Sequence, residues 1–538
     1  MIEQPKLTRR RALAAAAGMA AFATMSIGSD AEAAPVRGGK LIFARYADSL
    51  LLDPVWTDAN VDIWVMNSIY ETLLFPTPDG LDVQAGLATK WEQAADGKAL
   101  TLTIREGVKF SDGTAMTVAD IQFSLDRARG PKNGPWAEML ASIEAIETPN
   151  ATTVILKLKH PDPTIIPALA MFNTGILPKA KYEATAPGKP EEEKHKDFAE
   201  APVGTGPFMM TAWKRGQTMT MKRNPHYWGK APDGSALPYL DEVEFPIIPD
   251  DATRLLKVKA GEVHGTELVP YSRVKELQAD ANLRMELWPS TRVTYVTLMC
   301  KETLKNGTKN PLGNKKVRQA LNYAVNKDAV IAITTQGLGK PLQSFMSSVT
   351  PLNILAGPVY PYNVAKAKAL LAEAGLASGF ELTCIMLAGN QDQQNNLTTI
   401  QQMLGQIGVR LKLEQLDNPS SVARYRAEDF QMRHGLWTDD IGDPSEIASY
   451  FCYYPNVHNV HTGWQNPRVD ELFLLSQKEP DKAKRKALYK EMQETFIEEA
   501  PLLFLYETPY PVVWRKNAKG FVQIPLGNNF FEAAYVEK

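Results

Sequence analysis

The sequence has few cysteines and few histidines, and both shortages narrow what the protein can be. Its 538 residues include three cysteines and seven histidines. No C-x-x-C pair is present, which excludes the common zinc-binding and dithiol redox motifs. Cys300, Cys384 and Cys452 are too sparse for a disulfide scaffold. We therefore expect buried thiols with at most one disulfide.

An excess of charge of either sign is also lacking. Lysine and arginine number 59 against 61 aspartates and glutamates, a net charge of −2. No overall basic field exists to attract nucleic acid or anionic lipid, so neither is an expected partner.

A single hydrophobic core stops growing at roughly 250 to 300 residues, so a chain of this length should divide into about two to four domains.

Motifs for cofactors and catalysis are absent as well. The sequence contains no phosphate-binding P-loop, no G-x-S-x-G elbow of serine hydrolases and no H-E-x-x-H of zinc proteases. The turn at Gly204 and Gly206 has Met209 where a dinucleotide fingerprint needs a third glycine. His458 and His461 stand three apart without an evident third metal ligand. We expect no cofactor, no metal and no enzymatic activity.

The N-terminus has the features of an export signal. A basic start is followed by an apolar run over residues 12–27 and an A-x-A site at Ala31 and Ala33. The run is shorter than the roughly 20 residues of a membrane span, and none like it follows. Arg9 and Arg10 favour twin-arginine export, with Sec export left open. No cysteine follows the site, so we expect residues 1–33 to be cleaved and a soluble protein to be released into the periplasm.

The first half predicts a mixed sheet. A buried strand follows Gly39, LTLTIREGVKF alternates as a strand should, and Thr117 with Asp120 forms a capping box for the next helix. We predict a helix over about residues 62–73 and an exposed polar excursion over residues 186–200.

The second half predicts an α/β body, because strands alternate with helices after about Trp288. Asn314 and Asn363 should each cap a helix. A helix over residues 482–499 precedes the strand PLLFLYE, which returns the chain toward the first body. The two bodies would then share two crossings that can act as a hinge.

Several ordered motifs together resemble one family. They are GLATKWEQAADGKALTLTIREGVKFSDGTAMTVADIQFSLDR, GTGPFMMTAWKRGQTMTMKRNPHYW, NKKVRQALNYAVNKDAVI and YNVAKAKALLAEAGL. With the signal peptide, they resemble the dipeptide- and oligopeptide-type solute-binding proteins of bacterial ABC importers. The resemblance implies an α/β, two-lobed periplasmic-binding-protein clamp, type II and of the peptide-binding subclass, with an extra subdomain in lobe I. It also implies a monomer that delivers its solute to an ABC permease and ATPase complex in the inner membrane.

We predict the following division of the chain. Residues 1–33 are the signal peptide, 34–77 the first part of lobe I, 78–200 the extra subdomain, 201–288 the second part of lobe I, 289–510 lobe II, and 511–538 the completion of lobe I.

The segment WTDDIGDP resembles the family's amine-recognition loop, which implies that Asp440 pairs with an ammonium group of the ligand. A carboxylate in a closing cleft makes a charge-assisted hydrogen bond that favours a cation. Trp437, Asp439, Tyr46 and Asp48 are further candidates, because aromatic faces beside polar groups are typical of small-solute sites. The alternative is that Asp440 only organises the turn over residues 441–444.

This chain departs from the dipeptide binders at the position that recognises the ligand's carboxylate. Where they carry an arginine, this chain has Gln394 and Asn395, with Asn390 nearby. An amide lacks the bidentate fork of a guanidinium, so we expect weak recognition of a free carboxylate. A longer or modified peptide, an opine or other amino-acid conjugate, and an amide- or sugar-bearing solute all stay open. Alternative functions are a secreted hydrolase with an unrecognised active site and a membrane-tethered scaffold.

Overall fold

The computed structural model describes residues 35–130, 134–353, 359–455 and 458–538. The predicted signal peptide over residues 1–33 lies outside the described residues. No helix in the described ranges is both long enough and apolar enough to cross a membrane.

The strands of the described residues, in chain order, are β1 (Lys40–Ala44), β2 (Leu74–Pro76), β3 (Val83–Ala85), β4 (Ala88–Gln93), β5 (Ala99–Ile104), β6 (Ile143–Asn150), β7 (Thr153–Leu158), β8 (Phe208–Lys214), β9 (Thr218–Arg223), β10 (Glu242–Pro246), β11 (Gly265–Thr266), β12 (Leu283–Trp288), β13 (Val293–Leu298), β14 (Lys340–Pro341), β15 (Phe380–Leu387), β16 (Val409–Leu416), β17 (Met432–Trp437), β18 (Leu502–Glu507), β19 (Tyr510–Arg515), β20 (Ala518–Lys519), β21 (Val522–Gln523), β22 (Asn529–Phe530) and β23 (Tyr535–Val536).

The α-helices of the described residues are α1 (Asn60–Met66), α2 (Val118–Ala128), α3 (Ile165–Ala168), α4 (Lys179–Ala184), α5 (Glu191–Ala199), α6 (Asp251–Ala260), α7 (Val274–Ala279), α8 (Lys315–Ala324), α9 (Lys327–Thr334), α10 (Val364–Glu373), α11 (Gln391–Gly405), α12 (Asn418–Arg426), α13 (Ser445–Cys452), α14 (His458–His461), α15 (Pro467–Ser476) and α16 (Lys482–Glu499).

Two large sheets define the two lobes. The sheet of lobe I has seven strands in the order β12-β19-β11-β1-β10-β9-β8, and the sheet of lobe II has six in the order β14-β18-β13-β17-β15-β16. Both sheets mix parallel and antiparallel pairs, as β1 runs parallel to β10 while β19 runs antiparallel to β12. This is the predicted α/β, type II two-lobed fold.

The chain passes between the two sheets in two short segments that lie side by side. One joins β12 to β13 and the other joins β18 to β19. Trp288 pairs with Tyr510 in the sheet of lobe I, and Val293 pairs with Glu507 in the sheet of lobe II. Two adjacent connections of this kind allow two rigid bodies to rotate about a common line.

A third sheet, β4-β5-β7-β6, forms a separate layer beside lobe I. Its inward residues, such as Leu102 and Val154, pack with Ile121 and Leu125 of α2 in one apolar cluster. Helix α2 begins at the predicted capping box, in which Thr117 and Asp120 bond reciprocally. The alternation of apolar residues along β5 and β7 therefore buries one face of this sheet against α2.

Several predicted helix boundaries are confirmed, and two are wrong. The side chains of Asn314 and Asn363 cap α8 and α10 as predicted. The helix predicted over residues 62–73 ends earlier, at the C-terminus of α1. The excursion predicted over residues 186–200 contains α5, because three glutamates in its first turn favour a helix N-terminus and Phe198 is buried.

All three cysteines are free. Cys384 and Cys452 are buried, and Cys300 is half-buried. The expectation of buried thiols therefore holds for the two fully buried residues, which pack as small apolar side chains.

Candidate functional site

A cavity of about 120 Å³ lies between the two lobes. Lobe I contributes the segment just before and at the start of α1, and lobe II contributes β17, the start of α11, and α12. The residues with polar or aromatic side chains that line it are Tyr46, Asp58, Asn60, Tyr295, Asn390, Gln393, Asn418, Tyr425, Arg426, Arg433, His434, Trp437 and Tyr450.

Direct contacts between the lobes close this cavity. Arg426 forms an ion pair with Asp58 across the cleft. The backbone N–H of Gln391 donates to Asp251 Oδ2 at 2.7 Å. Close approach of the backbones is also required at Gly442, where an added Cβ would stand 2.6 Å from the carbonyl oxygen of Gly80. The structure is therefore that of a closed clamp.

Aromatic rings form one wall of the cavity. The Trp437 and Tyr450 rings are stacked with their centroids 3.8 Å apart. Trp136 also stacks with Tyr450, at a centroid distance of 6.1 Å. The hydroxyls of Tyr425 and Tyr450 are 2.7 Å apart. Trp437 Nε1 is buried and finds no hydrogen-bond acceptor in the part of the chain that the structure describes. A buried indole N–H without an acceptor is suited to donate to a bound solute.

Arg433 is a cavity residue that the sequence analysis missed. Its Nε donates to Ser421 Oγ at 3.2 Å, and its guanidinium carbon lies 4.4 Å from the centroid of the Tyr425 ring. Within the described ranges, no carboxylate oxygen lies within 4 Å of this guanidinium. The alternation of β17 was the available signal, because it places Arg433 and Trp437 on the same face of the strand. The cavity thus holds a guanidinium free to bind an anion.

Three buried carboxyl groups lie at the end of β17 and the start of α13. Asp439 Oδ2 accepts from Thr350 Oγ1 at 2.7 Å, and Glu446 Oε2 accepts from the backbone N–H of Asp440 at 2.7 Å. Asp439 Oδ1, Asp440 Oδ2 and Glu446 Oε1 are buried and accept no hydrogen bond from an N–H group or hydroxyl of the described residues, and the carboxyl groups of Asp440 and Glu446 hydrogen-bond each other when one is protonated. Asp440 does not line the cavity of about 120 Å³, and its loop begins just beyond the cavity residue Trp437.

These carboxyl groups lack a counter-charge. In the part of the chain that the structure describes, no Lys, Arg or His nitrogen lies within 4 Å of Asp439, Asp440 or Glu446. Burial raises the pKa of Asp440 to about 7 and raises the pKa values of Asp439 and Glu446 well above their usual range, and repulsion within the group adds to each rise. Such a site favours the arrival of a cation, which would stabilise the ionised forms.

The loop that carries these groups is attached to both crossings between the lobes. The backbone N–H of Asp439 donates to Oγ1 of Thr291, in the first crossing, at 3.0 Å. Thr438 shares a hydroxyl hydrogen bond with Tyr510, which follows the second crossing. Rotation at the crossings therefore moves the loop relative to its partners.

Of the remaining predicted site residues, two line the cavity and three do not. Tyr46 and Asn390 line the cavity, and the Asn390 side chain also caps α11. Asp48 lies elsewhere in lobe I, where its Oδ1 accepts from Trp213 Nε1 at 2.9 Å. Gln394 and Asn395 are outside the cavity lining and bond to side chains along and beside α11.

Metal ligation finds no support in the described ranges, where no group of three or more His, Cys, Asp or Glu side chains is arranged to hold an ion. His458 and His461 lie at the two ends of α14. The site can therefore bind charged groups and groups that pack against aromatic rings.

Comparisons with known proteins agree on one family. The model of the bacterial extracellular solute-binding proteins, family 5 (middle region), matches residues 82–459. The glutathione-binding protein GsiB of Salmonella typhimurium is 28% identical over 529 residues, which are 95% of this chain and 98% of GsiB.

Two solved structures show the same fold. The periplasmic binding protein DppA from Helicobacter pylori, in complex with the peptide STSA, has a TM-score of 0.83 at 24% identity and covers 94% of this chain and 99% of its own. AgaA from A. tumefacien R10, in complex with agropinic acid, has a TM-score of 0.77 at 27% identity and covers 93% of this chain and 99% of its own.

Proposed function

Since the chain belongs to the bacterial extracellular solute-binding proteins of family 5, we propose that it captures a peptide or amino-acid-derived solute between its lobes and delivers it to the permease of an ABC importer. The solute carries an ammonium group, which pairs with the carboxyl groups of Asp440, Asp439 and Glu446. This proposal is supported by the named ligands of similar proteins, among them glutathione and agropinic acid. The predicted signal peptide supports a periplasmic location.

The observation that carries the proposal is the buried group of carboxyls without a cation. Burying several like charges is unfavourable unless a partner compensates them. An ammonium group donates up to three hydrogen bonds, and three buried carboxylate oxygens here accept none from an N–H group or hydroxyl of the described residues. The amine-recognition role predicted for Asp440 thus extends to its two acidic neighbours.

Arg433 supplies a positive charge that complements the carboxyl groups of the proposed site. A guanidinium without a carboxylate partner in a closed, partly apolar cavity favours an anionic ligand group, which it can bind through two parallel hydrogen bonds. We propose that Arg433 binds a carboxylate of the solute, a role that the sequence analysis assigned to no residue. A solute with both an ammonium and a carboxylate fits peptides, opines and amino-acid conjugates better than neutral sugars.

Binding without turnover is the expected result when the purified protein meets a mixed pool of peptides and opines. Native mass spectrometry should show one retained solute per chain, and analysis of the pool should show no product beyond one equivalent. If only the folded protein binds, a ligand at about 100 times its Kd should add roughly 2.7 kcal/mol of stability. Catalytic consumption of the pool would favour the hydrolase instead.

Affinity for an amine-bearing ligand is expected to rise with pH between about 5 and 8. The raised pKa values mean that the free site holds protons, which an incoming ammonium must displace. The affinity should change by up to about tenfold per pH unit for each proton released. Calorimetry in buffers of different ionisation enthalpy would measure that release, and an affinity that falls over this range would contradict the assignment.

The same raised pKa values also predict how the stability of the ligand-free protein changes with pH. A carboxyl whose folded pKa is raised keeps a proton that the unfolded chain loses. Stability without ligand should therefore decline as pH rises from about 4 to about 7, opposite to the trend in affinity.

A further inference from the structure

A second cavity, of about 260 Å³, lies within lobe I. It shares no lining residue with the cavity between the lobes. Its walls come from the region between α1 and β3, from the segment around Phe172, and from the C-terminal segment that includes β21 and β22. It is thus a separate space, built by parts of the chain that are far apart in sequence.

Aromatic rings dominate the lining of this lobe I cavity. Five of its residues carry such rings, namely Tyr70, Phe75, Phe172, Tyr227 and Phe530. The negative faces of aromatic rings attract a cation within about 6 Å of the ring centre. A concave surface rich in such rings therefore favours a ligand that combines positive charge with an apolar body.

Two carboxyl groups, Glu71 and Glu532, line the same cavity. Glu71 is 5% exposed, and its Oε2 accepts from Trp228 Nε1 at 2.9 Å. Its Oε1 is buried and accepts no well-formed hydrogen bond from the described residues, while the hydroxyls of Thr205 and Tyr227 lie near the carboxylate. Among the described residues, the Glu532 carboxylate has no side-chain hydrogen-bond partner and no ion pair, and the hydrogen bond it accepts comes from its own backbone N–H. Burial raises the pKa of each group to about 7.

The charge of this pair is only partly balanced. The nearest guanidinium, that of Arg105, lies 3.8 Å from the centroid of the Trp228 ring and donates to the carbonyl oxygen of Gly86. Arg105 attracts Glu71 but does not line the cavity. No positively charged side chain lines the cavity at all, among the residues that the structure describes.

We propose that the lobe I cavity is a second binding site, which takes a small organic ammonium ion. The ammonium lies between Glu71 and Glu532, and the apolar part of the ligand contacts the aromatic rings. The ion pairs restore a counter-charge to both carboxylates, and the rings add cation–π attraction. This site is independent of the solute captured between the lobes.

The test uses 4-fluorobenzylamine and its neutral counterpart 4-fluorobenzyl alcohol as probes on the full-length mature protein. Fluorine NMR titrations would measure the affinity of each probe for wild type, Glu532→Gln, Asp440→Asn and Glu537→Gln. Glu532 is half-buried, and its backbone carbonyl accepts from the backbone N–H of Tyr239, which a side-chain change to Gln leaves in place, so Glu532→Gln should fold. Glu537 is the matched control, since it lies on the same C-terminal segment but outside the cavity lining.

We expect the amine to bind wild type and Glu537→Gln alike, and to bind Glu532→Gln about tenfold more weakly or worse. The alcohol should bind wild type more weakly than the amine does. Equal amine affinity for wild type and Glu532→Gln would overturn the proposal, and so would a loss confined to Asp440→Asn. No saturable binding of the amine up to about 10 mM would also overturn it.

Discussion

Replacing Asp440 with Asn is expected to weaken the binding of an amine-bearing solute by about 30-fold to several thousand-fold, or about 2 to 5 kcal/mol. Asp440 is buried, and among the described residues its Oδ2 accepts no hydrogen bond from an N–H group or hydroxyl. The substitution keeps the shape of the side chain but removes the charge that an enclosed ammonium needs to offset its lost hydration. Calorimetric titration with one solute and its N-acetylated form would measure the effect.

The controls for this prediction use the neighbouring carboxyl groups. Asp439→Asn should weaken binding less, because Asp439 already accepts a hydrogen bond from Thr350. The acetylated solute should bind wild type weakly, since it carries no ammonium. Undiminished binding of the acetylated solute, or equal affinities for wild type and Asp440→Asn, would mean that the loop does not recognise an amine.

Stability provides an independent readout for the same variant. Above about pH 7, where Asp440 begins to ionise beside Asp439 and Glu446, removing its charge should leave the melting temperature of the ligand-free protein unchanged or raise it. A variant that loses ligand while keeping its stability would place Asp440 in recognition. A large drop in melting temperature would instead favour the alternative in which Asp440 organises the turn.

Replacing Arg485 with Met is expected to lower the free energy of unfolding by about 3 to 5 kcal/mol. Arg485 donates to both carboxylate oxygens of Asp443, at 2.6 and 2.7 Å, and both side chains are nearly buried. Its Nε also donates to the carbonyl oxygen of Ser476 at 3.0 Å. The substitution leaves the Asp443 carboxylate buried without its counter-charge. Urea unfolding of the ligand-free protein would measure the loss.

Two further variants separate the charge effect from a general loss of packing. Arg468→Met removes an exposed arginine that pairs with Glu491 on the surface, and its unfolding should match that of wild type. The double variant Arg485→Met, Asp443→Leu removes both buried charges and should regain most of the lost stability. An Arg485→Met variant as stable as Arg468→Met would contradict the prediction.

The sequence predicts the fold well because its local signals agree with its tertiary structure. Alternation in β5 and β7, the capping box before α2 and the asparagine caps of α8 and α10 are all local features. The two-lobed architecture follows from the family resemblance. The predicted boundaries are wrong where a run of charged residues forms a helix instead of a loop. In α5, for example, three glutamates occupy the first turn of a helix.

The site was less predictable, since it depends on residues brought together from separate elements. Glu446 meets Asp440 only because the chain turns at residues 441–444, and no spacing rule relates the two. Arg433 lies on a strand that the sequence analysis did not identify, so its shared face with Trp437 went unnoticed. Gln394 and Asn395 were chosen by their position along the chain, whereas α11 directs only its first turn to the cavity.

The strand order of the two lobes also determines when each part of the protein can fold during synthesis. Strand β18 lies between β14 and β13, and β19 lies between β12 and β11, although β18 and β19 (residues 502–515) come later in the sequence than every other strand of these two sheets. Neither large sheet can therefore close while the ribosome still holds that segment. The sheet β4-β5-β7-β6 is contiguous in sequence and can form early. Each large sheet can be completed only after residues 502–515 have been synthesised, and the long-range pairing of β18 and β19 is the step that completes it.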